Sequence, residues 1–92
     1  MAHKPKSAAE TKARDLGLAL ARIAESESRP ASIGVDSLRR ASPRLTPLAI
    51  GQMVRKQRDM VEATLAERGL VLVEYADQGP DRGMEFTIED AA

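Results

Sequence analysis

Apolar positions along this chain keep two rhythms, and the change between them falls near Gly69. Up to Arg68 they recur every three or four residues; beyond Gly69 they run together and then alternate. The first rhythm is that of helices with one buried stripe, the second that of strands. Ala9, Ala13, Leu16, Leu20 and Ile23 form one continuous stripe, which predicts a helix from about Ser7 to Ser26. Ser7-Ala8-Ala9-Glu10 fits a capping box at its start, with the Ser7 hydroxyl accepting from an orphan amide and Glu10 reaching back. Leu18 points away from the stripe, either as a lone exposed leucine or as the corner of a dimer contact.

The Ser- and Pro-rich stretch SESRPAS, residues 26–32, reads as a linker. Ile33 belongs to a very short strand or packs under the loop. Asp36 is placed to cap a short helix, Ser37 to Ala41, with Val35 and Leu38 facing inward. SPRLTP makes a turn, with Thr46 as N-cap and Pro47 as first residue of a long helix. Gly69 supplies the left-handed residue that ends it after Arg68. Leu70 to Tyr75 is the clearest strand; it is apolar on both faces and is expected to be the better covered of two. ADQGPDRG turns the chain, and Met84, Phe86 and Ile88 alternate with Glu85, Thr87 and Glu89 in a half-buried second strand.

One stretch, VRKQRDMV at residues 54–61, interrupts the long helix with polar residues. At about 100° per residue from Ile50, Val54, Val61 and Leu65 fall within about 60° on one side, and Met53, Met60 and Thr64 within about 80° on the other. The apolar stripe is in phase across the cluster, which favours one helix, Pro47 to Arg68, about 33 Å long at 1.5 Å per residue. Gln52, Arg55, Lys56 and Asp59 lie opposite the stripe, and Arg58 at its edge. Gln57 falls near the stripe's centre, where an amide needs partners or marks a failure of the single helix. Arg55–Asp59 and Arg58–Glu62 are spaced as i,i+4 pairs on a solvated face.

Composition narrows the chemistry. The 92 residues suit one domain, residues 7–92, behind a basic, flexible tail at residues 1–6. Aromatic residues are 2% of the chain, too few for a stacking platform on single-stranded nucleic acid. There is no cysteine, and one histidine, His3, stands in the tail. Disulfides and thiolate sites are excluded and a His-based site is not expected. No apolar run approaches the roughly 20 residues that span a bilayer, and MAHKPKSAAETK lacks a signal-peptide core, so a cytoplasmic location is expected without membrane contact. The Ala-, Arg-, Asp- and Gly-rich usage suggests a bacterial, GC-rich source.

Net charge is zero but divided. Residues 1–58 carry 12 Lys/Arg against 5 Asp/Glu, a net +7; residues 59–92 carry 2 against 9, a net −7. Either the basic part meets nucleic acid or another acidic partner, or the two halves neutralise each other within one fold or between subunits. Between Leu38 and Arg58 the chain has six cations, Arg39, Arg40, Arg44, Arg55, Lys56 and Arg58, and no anion. Unopposed charge over a short helix, a turn and the next helix suits phosphate contacts.

The expected class is mainly α with a C-terminal β-hairpin (α+β): helix, short strand, short helix, long helix, hairpin. That order resembles the winged helix-turn-helix, and Leu65-Ala66-Glu67-Arg68-Gly69-Leu70-Val71 is similar to the LxxxGLV junction where the recognition helix of bacterial winged-helix regulators enters the wing. The resemblance covers about residues 8–90, through a short motif. It implies Ser42, Arg44 and Thr46 near phosphates, Gln52, Arg55 and Lys56 facing the major groove, and Arg82 on the wing. Two departures stand out. The long helix begins some two turns early, so either the reading helix is unusually long or residues 47–54 form the preceding helix and 56–68 the reading one. The wing loop sets Asp77 and Asp81 against Arg82, which suits protein contact.

The leading expectation is a sequence-specific transcriptional regulator that binds double-stranded DNA as a homodimer, with no cofactor. The alternative is a winged-helix-like protein–protein interaction module, such as a small accessory, phage or plasmid protein, without DNA binding. An enzyme is not expected: the chain shows no nucleophile–base pair, phosphate-cradling glycine loop or metal-ligand spacing.

Overall fold

The computed structural model describes residues 8–77 and 83–91. The tail and Ser7 of the capping box lie outside the described residues. In order, the elements are α1 (Ala8–Glu25), β1 (Ala31–Gly34), α2 (Val35–Ala41), α3 (Pro47–Lys56), α4 (Arg58–Ala66), β2 (Leu70–Asp77) and β3 (Met84–Asp90). The fold is α+β: four helices and one antiparallel sheet of three strands, in the order β1-β3-β2, among the described residues. No helix among these residues is long and apolar enough to cross a membrane.

α1 is the hub. It packs against α2, α3, α4, β1 and β3. A single stripe could not serve so many neighbours. Beyond Ala13, Leu16 and Leu20 it also buries Gly17, Ala19, Ala21 and Ala24, while Ala9 at the head of the predicted stripe is exposed and Ile23 half-buried. The small residues let neighbouring backbones come close. A Cβ at Gly17 would stand 2.7 Å from Thr64 Cβ and 3.2 Å from the Val61 carbonyl oxygen, so α4 occupies the place where a side chain would be. Thr64 is wholly buried, and its hydroxyl donates to the Met60 carbonyl at 2.7 Å, which leaves no unpaired polar atom at this contact. The core beneath is aliphatic around one ring: Phe86, Leu16, Leu20, Ile33, Leu38, Ile50, Leu65 and Ile88 are essentially inaccessible.

The long helix expected over 47–68 is two helices, broken at Gln57. That residue has φ −125° and ψ 32°, outside the helical basin. Its N–H closes α3 on the Met53 carbonyl (2.7 Å), and its own carbonyl opens α4 by accepting from Met60 (3.1 Å) and Val61 (3.2 Å). The buried residues agree with the phase argument: Ile50, Met53 and Val54 in α3, then Met60, Val61, Thr64 and Leu65 in α4. Phase reports the direction of the core from each segment. Both helices face one core, so the stripe keeps its phase while the backbone ladder breaks. Gln57 then escapes the core centre and is half-buried at the joint.

Other local expectations divide in the same physical terms. Thr46 does cap α3, its hydroxyl accepting from the Ala49 N–H at 3.1 Å, with Pro47 in the first turn. Gly69 does take the left-handed conformation, φ 69°, three residues beyond the end of α4. Asp36 does not cap α2: the cap position is Gly34, without a side-chain bond, and Asp36 sits in the first turn, where a carboxylate complements the helix dipole. Val35 and Leu38 face inward as expected.

In the sheet the expected order of burial is reversed. β3 lies between β1 and β2 and pairs with both, Ile33 opposite Phe86 and Leu72 opposite Ile88. Its Met84, Phe86 and Ile88 are buried. β2 is an edge strand with one face to solvent, so Leu70 and Leu72 are buried while Val71 and Val73 remain 42% and 47% exposed. Val73 is an extra residue, a bulge between Leu72 and Glu74 in the pairing with β3.

The Gly17–Thr64 contact predicts that Gly17→Ala destabilises the fold by about 1–3 kcal/mol through overpacking, although alanine is the better helix former by about 1 kcal/mol. Urea unfolding measures it; a neutral or stabilising result would show that α1 and α4 can move apart without cost.

Candidate nucleic-acid interface

The six cations between Leu38 and Arg58 do not share one environment. Arg39 and Arg40 occupy the last turn of α2, exposed, where positive charge complements the carbonyl end of a helix. Ser42 caps that helix and is half-buried; its N–H donates to the Leu38 carbonyl at 2.8 Å, and its carbonyl accepts from Leu45 at 3.0 Å. Arg44 projects from the turn thus fixed. Thr46 is exposed, with its acceptor committed to the start of α3. Gln52, Arg55 and Lys56 are exposed on α3. Arg55 lies back along its own helix, with Nη2 3.4 Å from where a Gly51 Cβ would stand. Arg82 lies outside the described residues.

A groove runs between the first half of α1 and α3. One part, about 420 Å³, has Thr11, Lys12 and Asp15 on one bank and Ser42, Arg44, Ala49 and Met53 on the other. The adjoining part, about 320 Å³, runs from Ala9 and Lys12 to Gln52, Lys56 and Gln57 and shares Lys12, Ala49 and Met53 with the first. The fold therefore brings Ser42, Arg44, Gln52 and Lys56 to one groove and adds Lys12 opposite them. Lys12 was invisible as a site residue in the sequence. It lies 32 residues before Arg44, and only the packing of α1 on α3 joins them; its exposed position on an amphipathic helix marks it as nothing more than polar surface.

Arg58 stands apart from this group. It lies beyond the break, donates from Nε to Glu62 at 3.0 Å, and holds its guanidinium carbon 5.2 Å from the centre of the Tyr75 ring on β2. The hydrogen bond to Glu62, then its charge, raises the Arg58 pKa above the ordinary arginine value. The other spaced pair, Arg55–Asp59, does not form, because the break removes the i,i+4 geometry between them.

Apart from Arg58, the described ion pairs use cations outside this set. They join Arg14 to Glu67 at 2.7 Å, Arg29 to Asp90 at 2.9 Å, Arg68 to Glu25 at 3.0 Å, and Arg58 to Glu62. Three of them tie an early residue of the chain to a late one; in two, Arg14–Glu67 and Arg29–Asp90, a cation of the basic half meets an anion of the acidic half, whereas Arg68–Glu25 joins the minority charges of the two halves. Arg39, Arg40, Arg44, Arg55 and Lys56 enter none of these pairs. Among the described residues, no group of three or more His, Asp or Glu side chains could hold a metal ion. Compared with protein-family models, curated proteins and solved structures, the chain has no match.

These environments predict different stability effects. Replacing Arg55 and Lys56 together by alanine changes the melting temperature by no more than about 2 °C, as for surface residues without partners. Arg58→Ala lowers it, because Glu62 and the Tyr75 ring lose their partner. Equal losses in the two variants, read by thermal unfolding, would mean that Arg55 and Lys56 also hold the fold.

Proposed function

We propose that this chain binds double-stranded DNA as a winged-helix-like regulator, through α3 and the turn before it. The observation that carries the reading is the set of five exposed cations, Arg39, Arg40, Arg44, Arg55 and Lys56, that no described ion pair engages. Neutralised cations gain little from a phosphate; unneutralised ones release the counterions that drive binding. The groove beside α3 is bordered by three cations, Lys12, Arg44 and Lys56, against one carboxylate, Asp15, a balance that suits a sugar–phosphate strand. Gln52 and Arg55 on the outer side of α3 are of the types that read base edges, adenine and guanine respectively.

The break at Gln57 bears on which helix enters the DNA. α4 exposes Asp59, and its Arg58 is held by Glu62 and Tyr75. Carboxylates beside phosphates cost binding energy. The charge distribution therefore favours α3, preceded by the Ser42–Thr46 turn, as the inserted helix, in place of α4, which the Leu65–Val71 junction of the winged-helix resemblance would make the reading helix. The C-terminal hairpin, on which Glu74 and Glu85 are exposed, then serves the protein and not the duplex.

A second reading, a protein–protein module without DNA binding, draws on a separate observation. Leu48, 73% exposed at the start of α3, is a large apolar side chain that phosphate contact does not explain.

Fluorescence anisotropy with random-sequence duplexes at low salt separates the two. DNA binding predicts that affinity falls steeply with salt. It also predicts that Arg55→Ala with Lys56→Ala weakens binding tenfold or more. The same pair lowers the slope of log K against log salt by up to about 1.8, at about 0.9 for each phosphate left unneutralised. No binding at low salt, with the protein folded, supports the interaction module and removes the DNA reading.

A further inference from the structure

The outer face of the sheet, turned away from the helices, is built from one kind of charge and two bare valines. The register sets Val71 opposite Glu89, Glu74 opposite Thr87 and Ala76 opposite Glu85, with the bulged Val73 beside them. Ser32 and Gly34 of β1 continue the surface opposite Thr87 and Glu85. The inward partners, Leu72, Phe86 and Ile88, are all buried. The described outer positions thus hold three carboxylates, Glu74, Glu85 and Glu89, and no cation.

The outer side of α3 is the counterpart. Leu48, Gln52 and Arg55 recur at four and three residues, so they stand on one face with Lys56 at its margin, and all four are exposed. This face holds one bare leucine and two cations that no described ion pair engages. Leu48, Val71 and Val73 are the large exposed apolar side chains among the described residues. All three fall in these two faces, one basic and one acidic.

We propose that the valine-bearing outer face of the sheet docks α3 of a second copy of this chain. Leu48 rests on Val71 and Val73, and Arg55 and Lys56 meet Glu74, Glu85 and Glu89. Complementary charge and matched apolar centres identify the partner as another copy, because both halves of the contact are on this chain. The two faces differ, so a copy offers its helix to one neighbour and its sheet to another, or two copies exchange both contacts about a two-fold axis. The sheet face takes part, not the sheet edge, because the bulge at Val73 spoils the edge of β2 as a template for another strand. This inference does not depend on DNA binding. Where DNA is bound through α3, duplex and second copy compete for the same helix.

Sedimentation of the full chain without nucleic acid tests it. The expected mass rises with concentration from one copy to two or more, and the association constant falls roughly tenfold on going from low to high salt, as the Debye length shrinks to about 3 Å at 1 M. Arg55→Glu with Lys56→Glu is monomeric, and so is Val71→Thr with Val73→Thr, which keeps β-branched residues on the strand. Mixed together, the two variants give a 1:1 heterodimer and nothing larger, because the first retains the sheet face and the second the helix face. Circular dichroism confirms that both are folded. A parent that stays monomeric throughout overturns the proposal. So does self-association by the Arg55/Lys56 variant, which would show sheet meeting sheet, or a mixture that remains monomeric.

Discussion

The approach of α1 to α4 at Gly17 and Thr64 governs the arrangement of everything else. With a Cβ excluded at Gly17, α4 can press on α1 until a threonine side chain fills the space. The distance between these two helices then fixes where Leu16, Leu20, Val61 and Leu65 meet, and so the depth of the core into which Phe86 and Ile88 descend from β3. Arg14–Glu67 and Arg68–Glu25 lie on the same pair of segments, at 2.7 and 3.0 Å. They are partly exposed and add little energy singly; both hold the residues just beyond the C-terminal end of α4 against α1, one at Arg14 and one at Glu25. No described ion pair ties α3 to α1. α3 packs on α1 with Ile50, Met53 and Val54 buried, and leaves the groove between its polar side and Lys12.

Local signals in the sequence carried the elements well, because caps and turns are short-range physics. Thr46-Pro47 begins a helix and Gly69 follows the end of one for reasons contained in a few residues. Two errors came from reading a direction as a continuity. The phase of Ile50, Val54, Val61 and Leu65 correctly reports which side faces the core, but two helices around one core share that phase, and Gln57 was the warning. The run Leu70–Val73 reads as the better covered of two strands; coverage depends on which faces of the sheet the helices pack against, a tertiary fact that four apolar residues cannot report. Gly17 gave no periodic signal, since its importance lies in what it lacks.

The candidate site was legible as composition and not as geometry. A run of six cations without an anion is visible in the chain, yet it holds two populations. Arg58 is tied to Glu62 and a tyrosine ring, and the other five enter none of the described ion pairs. Lys12 joins Arg44 and Lys56 by way of a helix packing that no local pattern encodes. The division of charge between the two halves of the chain became partly internal, through the long-range pairs Arg14–Glu67 and Arg29–Asp90, and partly a separation of basic helix from acidic sheet.

The break at Gln57 has a consequence for folding. An uninterrupted helix of some twenty residues could persist for part of the time in an unfolded chain; α3 and α4, at 10 and 9 residues, fall below the roughly 12–15 at which even favourable isolated helices are marginal in water. The basic face of α3 therefore exists only where the core has already formed beneath it. Its cations acquire their shared direction together with the fold, and a misfolded or partly degraded chain would carry the same charges without presenting them as a surface.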